Sequence, residues 1–308
     1  MEMLHYDFMQ RAFFAGGLIA LVASVLGVYL MLRRQAMMAD MLSHVSLAGV
    51  AGGAYLQLNP SLTGFAIAIT GAIAVEYVRR SYKTYSEIST AIIMIGGLSS
   101  AVVLMSLNQG MNKSFSSYLF GSIVAVNQTE LSLMIAVALI GASFFILFRR
   151  PLYQIAFDEE TAATNGIPVK WVSLIFSVIT GMIAAAAMPI VGVLLVSSLI
   201  VLPASLAIRV SSSFTSALYI AMGIGLIGVF SGLTASYELS TPPGGTIAVV
   251  LLILLVAGIA VKKLMLKVGK LRSKNSTSKV DNMSTAFPRF TMNSSIQTTG
   301  GKENENLV

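Results

Sequence analysis

Two side chains in this sequence combine metal-binding chemistry with a spacing that brings them together inside an apolar stretch: Asp40 and His44. They lie four residues apart in Asp40-Met41-Leu42-Ser43-His44, which on a helix puts a carboxylate and an imidazole on one face, one turn apart. That pairing suits a divalent transition metal. One chain supplies only two such ligands, whereas a symmetric homodimer would supply four, the number zinc prefers. A plainer reading stands beside this one. In it Asp40 is a first-turn helix residue near Arg34, and His44 is hydrogen-bonded within the fold. The only other histidine, His5, reads as a solvent-exposed residue of the N-terminal segment, and the absence of cysteine excludes thiolate metal sites and disulfides.

The elements that must hold this pair are membrane helices. Of 308 residues, 56% are hydrophobic and 11% charged, with a mean hydropathy of +0.81. Soluble domains carry about 25% charged residues, so this chain cannot cover its surface with polar groups and lipid must be its solvent. Hydropathy with Arg/Lys punctuation predicts spans near 13–32, 38–57, 62–78, 88–107, 130–148, 170–187, 190–208, 215–235 and 245–261. The expectation is an all-α polytopic bundle of eight to nine spans, with one turn at Met188-Pro189. The first span lacks a basic leader and a small-residue cleavage site, so it reads as a retained helix. The 26 glycines fit helices that pack closely in a membrane.

Arg33-Arg34, Arg79-Arg80-Lys83, Arg149-Arg150, Arg209 and Lys262-Lys263 fall on one side if the spans alternate. Cytoplasmic loops collect such residues, which puts the N-terminus outside and the C-terminus inside. The net charge of +7 is no sign of nucleic-acid binding. From Lys262 onward there are nine basic and three acidic residues, so nearly all the excess lies in the tail. The domain expectation is a transmembrane part at 1–263 and a polar, basic tail at 264–308, irregular after Leu271, whose start sits near anionic lipid headgroups.

Two loops are long. The outer one, 108–129, holds Tyr118-Leu119-Phe120-Gly121-Ser122, too short to span and suited to a re-entrant or interfacial piece. The inner one, 151–168, predicts a short amphipathic helix with a stop at Gly166 and a restart at Pro168, a place for a cytoplasmic partner to dock. A charge at the bilayer centre costs at least ~2.5–3.5 kcal/mol, so each ionisable residue near a span needs a reason. Glu76 and Glu87 flank the basic inner turn, and Glu130 and Glu238 lie near outer ends. No phosphate-binding Gly-x-x-x-x-Gly-Lys-Ser/Thr loop is present, so an ATP-driven process would need its motor on another subunit.

The stretch from Leu32-Arg33-Arg34 through Asp40, Ser43 and His44 to Gly49 resembles a signature of the membrane permease subunits of bacterial zinc and manganese ABC importers, the zinc branch most closely. Four further blocks match in order: Tyr118-Leu119-Phe120-Gly121, Phe157-Asp158-Glu159-Glu160-Thr161-Ala162, Gly192 through Pro203-Ala204, and Thr241-Pro242-Pro243-Gly244. The resemblance runs from about residue 5 to 262. It implies a pore subunit in the bacterial cytoplasmic membrane, with no enzymatic activity of its own. Its partners would be a second copy of itself, a cytoplasmic ATPase, an extracytoplasmic metal-binding protein and membrane lipid. Zn2+, or else Mn2+, would be its substrate, with no permanently bound cofactor. By position, Asp40 and His44 would contact the metal. Residues 156–168, with Phe157, Asp158, Glu159, Glu160, Thr161 and Gly166, would contact the ATPase. Two departures are visible: Ala48 stands where many relatives have proline, and the chain continues well past its last span.

Two other classes compete. An ion-coupled secondary carrier acting alone would show matching halves with broken helices, and no clear repeat is present. A siderophore or vitamin ABC permease would need a wider cavity and has no use for the Asp40/His44 pair.

Overall fold

The computed structural model describes residues 6–81, 86–107, 112–122, 124 and 126–284. His5 therefore lies outside the described residues. Twelve α-helices and no strand are found among them: α1 (Asp7–Leu32), α2 (Met37–Tyr55), α3 (Pro60–Ser81), α4 (Ser86–Ser106), α5 (Asn112–Phe120), α6 (Gln128–Leu147), α7 (Arg149–Phe157), α8 (Glu159–Thr164), α9 (Val169–Val191), α10 (Val196–Val210), α11 (Phe214–Leu239) and α12 (Pro243–Ser284). All-helical structure is what lipid demands, because a helix satisfies its backbone polar groups internally. The chain divides into a bundle, Met1–Ala260, and a second unit, Val261–Val308. In the second unit α12 continues as a helix to Ser284, past the Leu271 where an irregular tail was expected to begin. The remainder of that tail, 285–308, lies outside the described residues.

Eight described helices are long and apolar enough to cross a membrane: α1, α3, α4, α6, α9, α10, α11 and the first part of α12. The ninth expected span is α2, and its difference from the others is informative. It has 19 residues, about 28 Å at 1.5 Å per residue, enough to cross. Asp40, Ser43, His44 and Ser46 make it too polar to face lipid alone. The fold accommodates it by enclosure: α2 packs on α3, α4, α9 and α10, and most of its residues are buried.

Burial sorts the other helices. In α1 and α9, 72% and 78% of the apolar window is buried, against 17% in α4 and in α12. The first two form the centre of the bundle and the last two its periphery. Tyr29 of α1 anchors the core, stacked on Phe145 and edge-on to Phe176 and Phe214. Small residues let α2 come close to its neighbours. A Cβ on Gly49 would stand 2.7 Å from the Thr63 carbonyl oxygen of α3, and one on Gly97 of α4 would stand 3.0 Å from the Val45 nitrogen.

The turn between α9 and α10 is displaced from its expected place. Pro189 lies inside α9, which runs on to Val191, and the chain reverses at Gly192 and a single 3-10 turn, Val193–Leu195. Gly192 has φ of +81° and a backbone pressed against Leu119, Phe120 and Gly121, where a side chain would not fit. Gly121, at φ +78°, in turn abuts Ile190 and Val191, and the Ser122 N–H donates to the Pro189 carbonyl at 3.0 Å. Gly244, at the start of α12, sits against Val191 and Phe120. Three motifs far apart in sequence, at 118–121, 192–204 and 241–244, thus meet at the end of the bundle opposite the arginines. α5, nine residues long, packs on this turn and does not span.

Candidate functional site

Asp40 lies in the first turn of α2 and His44 one turn further in. The imidazole Nε2 is 4.0 Å from Asp40 Oδ2, with the two side chains 9% and 25% exposed respectively. That distance is beyond a hydrogen bond. Nδ1 is buried and has no partner among the described residues. A histidine retained for packing normally satisfies its nitrogens, and this one does not. Asp40 forms no ion pair with Arg34, which is exposed, while its place in the first turn of α2 is the one the plainer reading gives it. Neighbouring hydroxyls are occupied elsewhere: Ser43 donates to the Ala39 carbonyl at 2.8 Å, and Ser46 to the Gly64 carbonyl at 3.1 Å, tying α2 to α3. Among the described residues no cluster of three or more His, Cys, Asp or Glu side chains exists. One chain therefore brings together one carboxylate and one imidazole here, with the imidazole Nδ1 lacking a partner among the described residues.

The other buried acids are partnered. Glu76 of α3, 2% exposed, accepts from Arg79 at 3.0 Å and from Ser177 of α9 at 3.0 Å. Next to it Arg33, at the end of α1, donates to Ser173 at 2.8 Å and lies 4.8 Å over the Phe176 ring. Burial, with the like charge of Arg79, pushes the Arg33 guanidinium down to about 10, partly offset by Glu159 and Glu76, so it stays charged at neutral pH. Glu76 is visible in the sequence as an ionisable group near a span. Its partner Ser177 is 101 residues away, and no sequence pattern marks it.

Glu130 sits at the opposite end and is equally engaged. It closes a capping box with Asn127, whose side chain accepts from the Glu130 N–H at 2.9 Å while Glu130 Oε2 accepts from the Asn127 N–H at 3.0 Å. Its Oε1 accepts from Ser61 at 2.9 Å, and the Ser61 and Tyr118 hydroxyls are 3.5 Å apart, so α3, α5 and α6 are joined. Of the remaining acids, Glu238 lies in the last turn of α11, and Glu87 in the first turn of α4.

The expected inner amphipathic helix is two helices. α7 buries Leu152, Ile155 and Ala156, α8 buries Ala162, and Asp158 is the joint between them. The Asp158 carboxylate accepts from the Thr161 hydroxyl and from the N–H groups of Thr161 and Glu160, bonds that hold its carboxyl below the usual carboxylate range. Gly166, at φ +82°, ends this segment, and α9 begins at Val169 after Pro168. Phe157 is 62% exposed beside Asp158, Glu159, Glu160 and Thr161, which are also exposed. Trp171, 68% exposed, follows at the start of α9, an aromatic that no motif in the sequence marks.

Residues 5–262 match the model of the ABC 3 transport family. A "probable metal transport system membrane protein" of Treponema pallidum (strain Nichols) is 33% identical over 88% of this chain and all of its own length. The high-affinity zinc uptake system membrane protein ZnuB of Haemophilus influenzae is 28% identical over 79% of this chain and 94% of its own. The manganese transport system membrane protein MntC of Halalkalibacterium halodurans is 27% identical, covering 81% and 85%. Among solved structures, PsaBC from Streptococcus pneumoniae in complex with Fab shares the fold, with a TM-score of 0.74 at 23% identity over 83% of this chain and 92% of that one. This chain is a multi-span membrane protein of the ABC 3 transport family.

Proposed function

We propose that this chain is the pore-forming permease subunit of an ATP-driven importer of divalent metal ions, with Zn2+ as its first substrate. The observation that carries the proposal is the buried His44, whose Nδ1 has no partner among the described residues and whose Nε2 faces Asp40, on a helix too polar to face lipid alone. Relatives named for zinc and for manganese match the chain about equally, at 28% and 27% identity, so the preference for zinc rests on ligand chemistry. Manganese favours sets of oxygen ligands, whereas zinc takes imidazole nitrogen readily and is content with four donors. Two copies of Asp40 and His44 would make such a set around a two-fold axis. That arrangement gives the second copy a chemical role, since it completes a site that one chain leaves half built.

The basic end of the bundle is the cytoplasmic end by the distribution of Arg and Lys, and the membrane is the bacterial cytoplasmic membrane. On that side the segment from Phe157 to Gly166 is the docking point for a separate ATPase. Its exposed aromatic and acidic residues stand on α7 and α8, which bury their other faces against the bundle. Delivery of the ion from outside falls to an extracytoplasmic metal-binding protein. The chain itself carries out no hydrolysis.

The test is 65Zn uptake into proteoliposomes holding the permease, its ATPase and its binding protein, with ATP inside. ATP-dependent zinc uptake, poorly competed by manganese, is the expected result. Uptake of manganese and not zinc would overturn the substrate, and uptake without ATP would overturn the transporter class.

A further inference from the structure

We propose that the cleft between α1, α6 and α11 binds one anionic glycerophospholipid from the leaflet at the basic end, its acyl chain in the cleft and its phosphate on Arg149 and Arg150. α6 and α11 both pack on α1 but hardly on each other, which leaves a groove of about 530 Å3 floored by Val22, Val25 and Tyr29 and walled by Ala142, Ile146 and Leu218. The wall is apolar along its length and opens at one end on Arg149 and Thr215. Those two residues are bonded to each other, Arg149 Nη2 donating to Thr215 Oγ1 at 2.7 Å, and they also line a second, open pocket of about 500 Å3 with Arg150, Tyr153 and Ser213. An apolar slot and a basic, hydroxyl-bearing cup are therefore continuous through shared residues.

Length and charge select the occupant. From Leu18 to Tyr29 the groove follows 11 steps of α1, about 16 Å at 1.5 Å per residue. That is half of the ~30 Å hydrocarbon core, the depth of one leaflet. The cup is cationic, and the planar arginine fork matches phosphate oxygens. Basic pockets at the edge of a helix bundle hold anionic headgroups for this reason. The chain's own C-terminal tail is a poor occupant, since from Lys262 onward it carries nine basic residues against three acidic and would be repelled by the cup.

The experiment is native mass spectrometry of the full-length permease, delipidated and then titrated with phosphatidylglycerol or phosphatidylethanolamine of identical chains. Wild type should retain one phosphatidylglycerol per chain and discriminate against phosphatidylethanolamine. Arg149→Gln with Arg150→Gln should erase that discrimination, about five-fold for each arginine. Ala142→Phe, which fills the slot and keeps both arginines, should lose phosphatidylglycerol as well. Phosphatidylglycerol with a photoreactive acyl chain, applied to the unmodified protein, should label Ile146 or Leu218. Equal retention of both lipids, unchanged retention in the double variant, or labelling only outside this cleft would overturn the proposal. Displacement of phosphatidylglycerol by millimolar inorganic phosphate would overturn it too, showing an anion cup without a lipid slot. So would loss of the lipid whenever the chain dimerises, which would make the cleft an interface between copies.

Discussion

Two buried polar groups, both contributed by central helices of one bundle, have opposite character. Glu76 has a partner on each oxygen and sits between Arg79 and Ser177. His44 has a buried nitrogen with no partner among the described residues, and its other nitrogen is 4.0 Å from Asp40 Oδ2. Burying a polar group without a hydrogen bond costs roughly 1–3 kcal/mol on mutational scales. A fold that satisfies Glu76 and Glu130 so fully bears that cost at His44 Nδ1, as it does at Ser24 Oγ, Arg33 Nη1 and Arg79 Nε. On the function proposed above, the difference separates a group that holds the bundle together from one that would take a metal ion.

Truncating each group in turn, and asking which property fails, tests this contrast most severely. His44→Ala or Asp40→Ala should leave membrane abundance and melting temperature near wild type while lowering zinc uptake by more than ~100-fold, since even outer-shell changes around a metal cost 10–100-fold. Glu76→Ala should do the reverse. It strands Arg79 and Ser177, a loss of about 3 kcal/mol, seen as a lower melting temperature, with uptake per folded molecule largely kept. Glu76→Gln, which preserves one acceptor, should recover part of it. If Glu76→Ala abolished transport at full stability, the division between the two groups would collapse.

A smaller effect belongs to the turn where the three motifs meet. Gly192→Val forces a branched residue into φ +81° against Leu119 and Phe120, a strain of about 1–3 kcal/mol, visible as a lower melting temperature. The smallest concerns Asp158. Asp158→Ala should fray α8 and weaken association with the ATPase in a pull-down from detergent, without changing zinc binding. Because the folded-state carboxyl titrates below its unfolded value of about 3.9, the cap's contribution is present above that pH and is lost only as pH falls through the lower, folded value. Association should therefore be flat from about pH 7 to about pH 5.

Much of this was legible in the sequence, for physical reasons. A membrane helix must be apolar over its whole length, so spans announce themselves, and an i, i+4 pair needs no tertiary structure to be seen. The turn expected at Met188-Pro189 lies elsewhere because proline is tolerated near the end of a membrane helix when its neighbours satisfy the freed carbonyls. The true reversal rests on Gly192, whose positive φ is not written in its neighbours' residue types. What could not be read was convergence. The meeting of Gly121, Gly192 and Gly244, and the Glu76–Ser177 bond, are set by how helices cross. The state of His44 lay between: the pair is visible in the sequence, but only packing shows that its Nδ1 is buried without a partner among the described residues.

The central claim is that Asp40 and His44 from two copies hold one ion. Its most direct test is the zinc content of the purified permease dimer after equilibrium dialysis, with the zinc K-edge X-ray absorption of the same sample. One zinc per two chains, with imidazole scattering that disappears together with the bound metal in His44→Ala, is the predicted result. Zinc bound in equal amount, with the same absorption spectrum, in wild type and His44→Ala would contradict it.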